Sequence, residues 1–273
     1  MLEVEMNFVD TLNPIMDLVE DMLRDIALRL QDSTVGQELL TSRSSSSNGE
    51  EASAVTHDVL LQRWQGLAQR PWPRVTYAEA IARLQQATSQ KNVVFEFEPT
   101  LESGLQAEHE RFLAEHVGQG SPVFVTDYPR IMKPFYMAPS RPTSGNTDPV
   151  STVACFDLLV PDLCELVGGS LREHRWSALH DAMESHGLLK PKRVFGETHD
   201  ASGSINPAVE MQSIPTPSTE VSSLQWYLDL RRYGSVPHGG FGLGFDRLLG
   251  YLSGVSNLRD TVAFPRWYKR CDA

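Results

Sequence analysis

Gly239-Gly240-Phe241-Gly242-Leu243-Gly244-Phe245-Asp246-Arg247-Leu248-Leu249 decides how this chain is read. Four glycines alternate through six positions and give way to an arginine and an apolar run, Leu248, Leu249, Tyr251 and Leu252, with helical spacing. The stretch is therefore expected to be a glycine-rich strand that turns into a helix, with Arg247 in the first helical turn. Bare glycine lets backbone lie flat against a ligand because no Cβ intrudes. A helix N-terminus beside a guanidinium favours an anion such as a phosphate. Tight helix–strand packing is the competing reading of such a run.

Working outward, residues 226–238 read WYLDLRRYGSVPH, and residues 255–266 read VSNLRDTVAFPR. Together with 239–247 they resemble the third signature motif and the ending of class II aminoacyl-tRNA synthetases, in their asparaginyl branch. Residues 121–137 (SPVFVTDYPRIMKPFYM) resemble the strand–turn–strand that walls the amino-acid pocket there. Residues 164–175 (CELVGGSLREHR) resemble the branch's acidic-Gly-Gly-x-x-Arg segment. The tail from Trp267 to Cys271 is similar to fungal mitochondrial members, so a mitochondrial location is expected, with the cytoplasm as the alternative.

The resemblance implies an α+β fold, an antiparallel sheet flanked by helices. It also implies ATP-dependent activation of asparagine and its transfer to tRNA(Asn). The α-carboxylate is already an anion at neutral pH, so the chemistry needs positioning and charge neutralisation rather than a general base. By this resemblance Glu165 would hold Mg2+ shared with the ATP phosphates, since Mg2+ takes one or two carboxylates plus phosphate oxygens. Gly168 and Gly169 would let strand backbone approach the nucleotide. Arg172 would read the side-chain oxygen of the amino acid. Arg247 would clamp the far phosphates, with Gly244, Phe245 and Asp246 under the adenosine. Asp127, Tyr136 and Glu5 are further candidates for the amino-acid pocket. For Asp127 and Tyr136 a turn acid and a sheet aromatic are equal readings; for Glu5 and its neighbour Glu3, a solvated strand face is.

Residues 1–8 resemble the closing strand of the family's second motif, with Met1 where a glutamine usually stands. The arginine that grips the ATP α-phosphate, the dimer-forming first motif and the anticodon-binding barrel find no counterpart in the 273 residues. The chain is accordingly expected to be an N-terminally truncated part of a catalytic domain from a family of homodimers, weak in adenylate formation by itself. There are two rival readings. One is a catalytically inactive nucleotide-binding module, against which the retained Glu165, Arg172 and Arg247 count. The other is an ammonia-dependent asparagine synthetase-like enzyme, which lacks the barrel but also lacks the 226–232 lead-in.

Composition narrows the classes. An apolar content of 41% with no apolar run of about 18 residues argues a globular chain without a membrane span. A net charge of −11 disfavours a broad nucleic-acid surface, although residues 223–273 carry six Arg and one Lys against four Asp. Cys155, Cys164 and Cys271 show no metal-ligand spacing and read as reduced thiols. His174 and His180 are not four apart, which argues against a metal site on their helix.

Periodicity predicts a strand over 2–8 and a helix from Asn13-Pro14 with apolar positions 15, 18, 19, 22, 23, 26 and 30. Helices are expected over 76–86, 105–116 and 171–185. Strands are expected over 93–97, 122–126, 134–138 and 153–160. Polar or Pro-rich insertions are expected at 31–56, 141–150 and 190–219.

Overall fold

The computed structural model describes residues 1–45, 55–90, 93–141, 151–189 and 224–266. Two units make up the chain, residues 1–173 with 236–273, and residues 174–235. The larger is built on six strands: β1 (Leu2–Asn7), β2 (Arg74–Thr76), β3 (Val123–Pro129), β4 (Thr152–Val160), β5 (Cys164–Arg172) and β6 (His238–Leu243). They lie in the order β1-β6-β5-β4-β3-β2. All pairs are antiparallel, as expected, except β2 with β3, which is parallel. The last strand in the sequence thus inserts beside the first.

Alternation along the strands sends side chains to two faces. Phe124, Phe156, Leu158, Val167, Leu171, Phe241 and Leu243 form one face. Against it pack helices α1 (Asn13–Gln31), α3 (His57–Ala68) and α8 (Phe245–Ser253), through Ile15, Val19, Leu23, Trp64, Leu248 and Tyr251. On the opposite face Val123, Val125, Val153, Cys155 and Leu159 meet α4 (Tyr77–Ser89) and α5 (Ala107–His116). That second cluster rests on β2, β3 and β4. Towards β5, β6 and β1 the same face carries Gly168, Ser170, Gly240 and Gly242, which provide no apolar side chain to cover.

Helix α4 starts where a capping box fixes it: Thr76 Oγ1 accepts from Glu79 N–H at 3.2 Å, and Glu79 accepts from Thr76 N–H at 2.8 Å. Helix α8 ends on Gly254 at φ 72°, a left-handed position that glycine adopts without strain. The smaller unit contains α6 (Trp176–Ser185) and α7 (Gln225–Arg232), packed on each other.

Several expectations are corrected. The segment expected as an insertion over 31–56 holds helix α2 (Thr34–Ser45); residues 46–54 lie outside the described residues, as do 142–150 and 190–223 of the other two insertions. The helix expected over 171–185 starts only at Trp176, because Leu171 and Arg172 pair with Gly239 and His238 as the end of β5. No strand forms over 93–97: the N–H groups of Glu96 and Phe97 donate instead to the Glu108 carboxylate at 3.0 and 2.8 Å. Over 134–138 there is a single bridge, Met137 with Arg172, and α3 was not anticipated. In α1 the buried stripe runs Ile15, Val19, Leu23 and Ala27, leaving Leu18 outside.

Candidate active site

The floor of the site is the backbone of β5, β6 and β1, kept bare by sequence. A Cβ on Gly240 would stand 2.0 Å from Val4 O and 2.6 Å from Glu5 Cδ, so only glycine admits the neighbouring strand and its carboxylate. A Cβ on Gly168 would come within 2.9 Å of Glu165 Oε1 and 3.6 Å of Asp157 Oδ1. Those two contacts show that both carboxylates reach over the same patch of floor.

At the β1 side, cross-strand register sets Glu5 opposite Gly240 and Arg172 opposite His238. The Arg172 guanidinium donates to Glu5 Oε1 from Nη2 at 2.7 Å and from Nε at 3.1 Å, and to Ser170 Oγ at 2.5 Å. Its Cζ lies 5.4 Å from the Tyr136 ring centroid. The Arg172 side chain is only 16% exposed, whereas Glu5 is 53% exposed. Arg172, Glu5 and Tyr136 are therefore brought together.

At the β4 side the site is acidic. Asp157 on β4, Glu165 on β5 and Glu110 on α5 approach one another around Lys133, whose Nζ is 2.7 Å from Asp157 Oδ2. Burial, then the charge of Asp157, pushes the Glu165 carboxyl up. Burial, then Glu165 and Asp157, raises Glu110 to about 7. Burial is the strongest single influence on Lys133 and would lower it, but Asp157, Cys155 and Glu165 together outweigh it and the ammonium is raised. Carboxylates gathered over one half-buried patch have the oxygen-only chemistry that a hard divalent cation takes, and such a cation relieves their mutual repulsion. Asp157 and Glu165, both facing bare backbone, fit that role.

Beyond them, the turn from β6 into α8 carries the arginine at its expected place. Arg247 is exposed in the first turn and donates from Nη1 to Glu165 O at 2.7 Å. Gly244 caps the helix, and its N–H donates to Leu166 O at 3.2 Å. A Cβ there would press on the Arg247 stem at 3.3 to 3.5 Å, so the glycine lets the side chain fold back towards β5. Phe245 is half exposed and Asp246 lies in the same turn.

Asp127 is placed apart from this group. It sits at φ 58° where the β3–β4 register shifts, and its carboxylate accepts from Ser140 Oγ at 2.5 Å and Thr126 Oγ1 at 2.7 Å. That is a brace for a bulge. His238 Nδ1 lies 2.8 Å from Val236 O, in keeping with a packing role. On α6, His180, Asp181 and Glu184 bring ligand atoms within 4.8 Å of one another on an exposed face, a grouping the histidine spacing did not suggest.

Sequence reasoning missed Asp157, Lys133 and Glu110. Asp157 carried a signal: it is the one charged residue in the run 153–160, and a carboxylate in a buried strand needs partners. Lys133 and Glu110 carried none, because their partners lie on other elements.

Known proteins resemble this chain in sequence and fold. The family described as tRNA synthetases class II (D, K and N) matches residues 1–268. The mitochondrial asparagine–tRNA ligase of Saccharomyces cerevisiae is 36% identical over 97% of the chain and 47% of its own length. The human asparaginyl-tRNA synthetase is 34% identical over 99% of the chain and 46% of its own length. Asparaginyl-tRNA synthetase from Pyrococcus horikoshii, solved with asparaginyl-adenylate, superposes with a TM-score of 0.65 at 28% identity, covering 98% of this chain and 47% of that one. The chain thus spans about half the length of the relatives it matches. Among the described residues, no helix is long and apolar enough to cross a membrane.

Proposed function

The chain belongs to the class II tRNA synthetases (D, K and N), and from that premise we propose that it carries the amino-acid-activating centre of an asparagine–tRNA ligase. Asparagine and ATP react there to asparaginyl-adenylate and pyrophosphate, and the asparaginyl group passes to the 3′ ribose of tRNA(Asn). The yeast relative's name supports a mitochondrial setting.

One observation carries the choice of amino acid: Arg172 is already paired with Glu5 above the glycine floor. An asparagine side chain has both halves of the match, a carbonyl to accept from the arginine and an amide to donate to the carboxylate. Aspartate would set a second carboxylate against Glu5, and like charges at such range are costly. Tyr136 lies under the guanidinium and steadies it. Asp127 takes no part in this reading beyond its brace on Ser140.

For the nucleotide, Gly168, Gly242 and Gly244 leave backbone open to close approach, and Arg247 at the start of α8 meets the outer phosphates. Phe245 and Asp246 flank the adenosine. Asp157 and Glu165 would hold Mg2+, which when bound neutralises the phosphates and helps pyrophosphate depart. The residues themselves orient the α-carboxylate for in-line attack on the α-phosphorus; no proton has to be removed from it.

The test uses stable sulfamoyl analogues of the two adenylates in a thermal-shift measurement. The asparaginyl analogue should raise the melting temperature well above the aspartyl one. An equal or larger shift with the aspartyl analogue would overturn the assignment.

A further inference from the structure

Adenylate formation as proposed gives Lys133 no task. This lysine ends the short 3-10 turn Arg130–Met132, and its side chain is 18% exposed beside an Asp157 that is 13% exposed. The ammonium lies 2.7 Å from Asp157 Oδ2 and 3.9 Å from the centroid of the Tyr128 ring. The buried Tyr128 hydroxyl bonds the same carboxylate. The other oxygen, Oδ1, faces the floor next to Glu165 Oε1, where Gly168 lacks a Cβ. Asp157 therefore turns one oxygen inward to a fixed cation and one outward to the place where a divalent cation would sit.

We propose that Lys133 is a tethered counter-ion of the Asp157–Glu165 pair, which keeps a free divalent cation from settling there and leaves the metal to enter together with the ATP phosphates. This rests on the reading of that pair as the metal end of the ATP site. Two effects of the lysine oppose each other. It steadies Asp157, which favours a bound metal, and it repels any cation brought to the outward oxygen. Repulsion wins for a bare ion. A dication feels the ammonium with twice the energy of a monovalent ion, and a half-buried site screens it poorly. The steadying hydrogen bond is the smaller term, because Tyr128 still holds Asp157 when the lysine is gone. Once phosphates accompany the metal their negative charge offsets the ammonium, and the penalty falls away.

The experiment titrates Mn2+ alone into the full chain without nucleotide, reading free ion by electron paramagnetic resonance. Lys133→Met and Lys133→Gln should each bind Mn2+ at least about tenfold more tightly than the wild type. Lys133→Arg, which keeps the charge, should match the wild type. Adding Glu165→Gln to Lys133→Met should abolish the gain and so locate the ion. Unchanged or weaker binding in both neutral variants would overturn the proposal while leaving the metal reading intact. So would a gain that survives Glu165→Gln, or failure of both neutral variants to fold, which would make the lysine a structural residue. No Mn2+ uptake by any variant would overturn the proposal and the metal reading together.

Discussion

Glu110 shows how a single side chain registers the site's electrostatics. Its carboxyl is raised from 4.5 to about 7 by burial, then by Glu165 and Asp157. The sign comes from linkage. Between 4.5 and 7 the unfolded chain releases a proton that the folded chain retains, so the native state loses stability as pH rises through that window, with the whole loss present above it and none below it. Glu110→Gln should therefore melt higher than the wild type above pH 7 and the same below pH 4.5, as read by calorimetry. A gain that persists at the acidic end would mean that the carboxylate cluster is not its cause. Arg247 makes the complementary case. It is exposed and its described bond runs to a backbone carbonyl, so Arg247→Ala should move the melting temperature little. Loss of a charged contact to phosphate should raise KM for ATP about tenfold or more. Early melting with unaltered KM would return Arg247 to a structural role.

At the scale of the element, β6 is where composition and function meet. Gly240→Ala would drive a Cβ to 2.0 Å from Val4 O and should destabilise the chain by about 1–3 kcal/mol through loss of the β1–β6 fit. Gly242→Ala meets only Met1 Sδ at 3.3 Å and should leave the melting temperature nearly unchanged. It nonetheless raises the floor and should weaken binding of the asparaginyl-sulfamoyl analogue by calorimetry. Equal effects of both variants on stability would contradict the division of β6 into a packed position and an open one. This strand, α8 and the helix at Asn13 were legible because glycine spacing, apolar period and a Pro near the helix start are local signals. The tail of β5 was not. Leu171 and Arg172 look helical beside the residues of α6, and only pairing with β6, some 70 residues on, extends the strand. Residues 93–97 failed in the opposite sense: a β-prone run had its N–H groups taken by Glu108 on α5.

For the whole molecule, topology assembles a site that no local window contains. Insertion of β6 between β1 and β5 brings Glu5 to Arg172 across 167 residues and Arg247 to Glu165 across 82. The motifs named the arginines and Glu165, since those lie inside contiguous blocks. Asp157, Lys133 and Glu110 come from three separate elements, and their meeting is a consequence of packing α5 and the 130–133 turn over β4. At its β1 end the centre balances Arg172 against Glu5, which suits an amino acid whose side chain is polar but neutral. Amino-acid dependence of ATP–pyrophosphate exchange, measured on the full-length protein, tests that claim most directly. Asparagine should drive exchange and aspartate should not, and Glu5→Gln should narrow the preference about 10- to 100-fold, the worth of one hydrogen bond to a charged group. Exchange driven as well by aspartate as by asparagine, or a preference unmoved by Glu5→Gln, would contradict it.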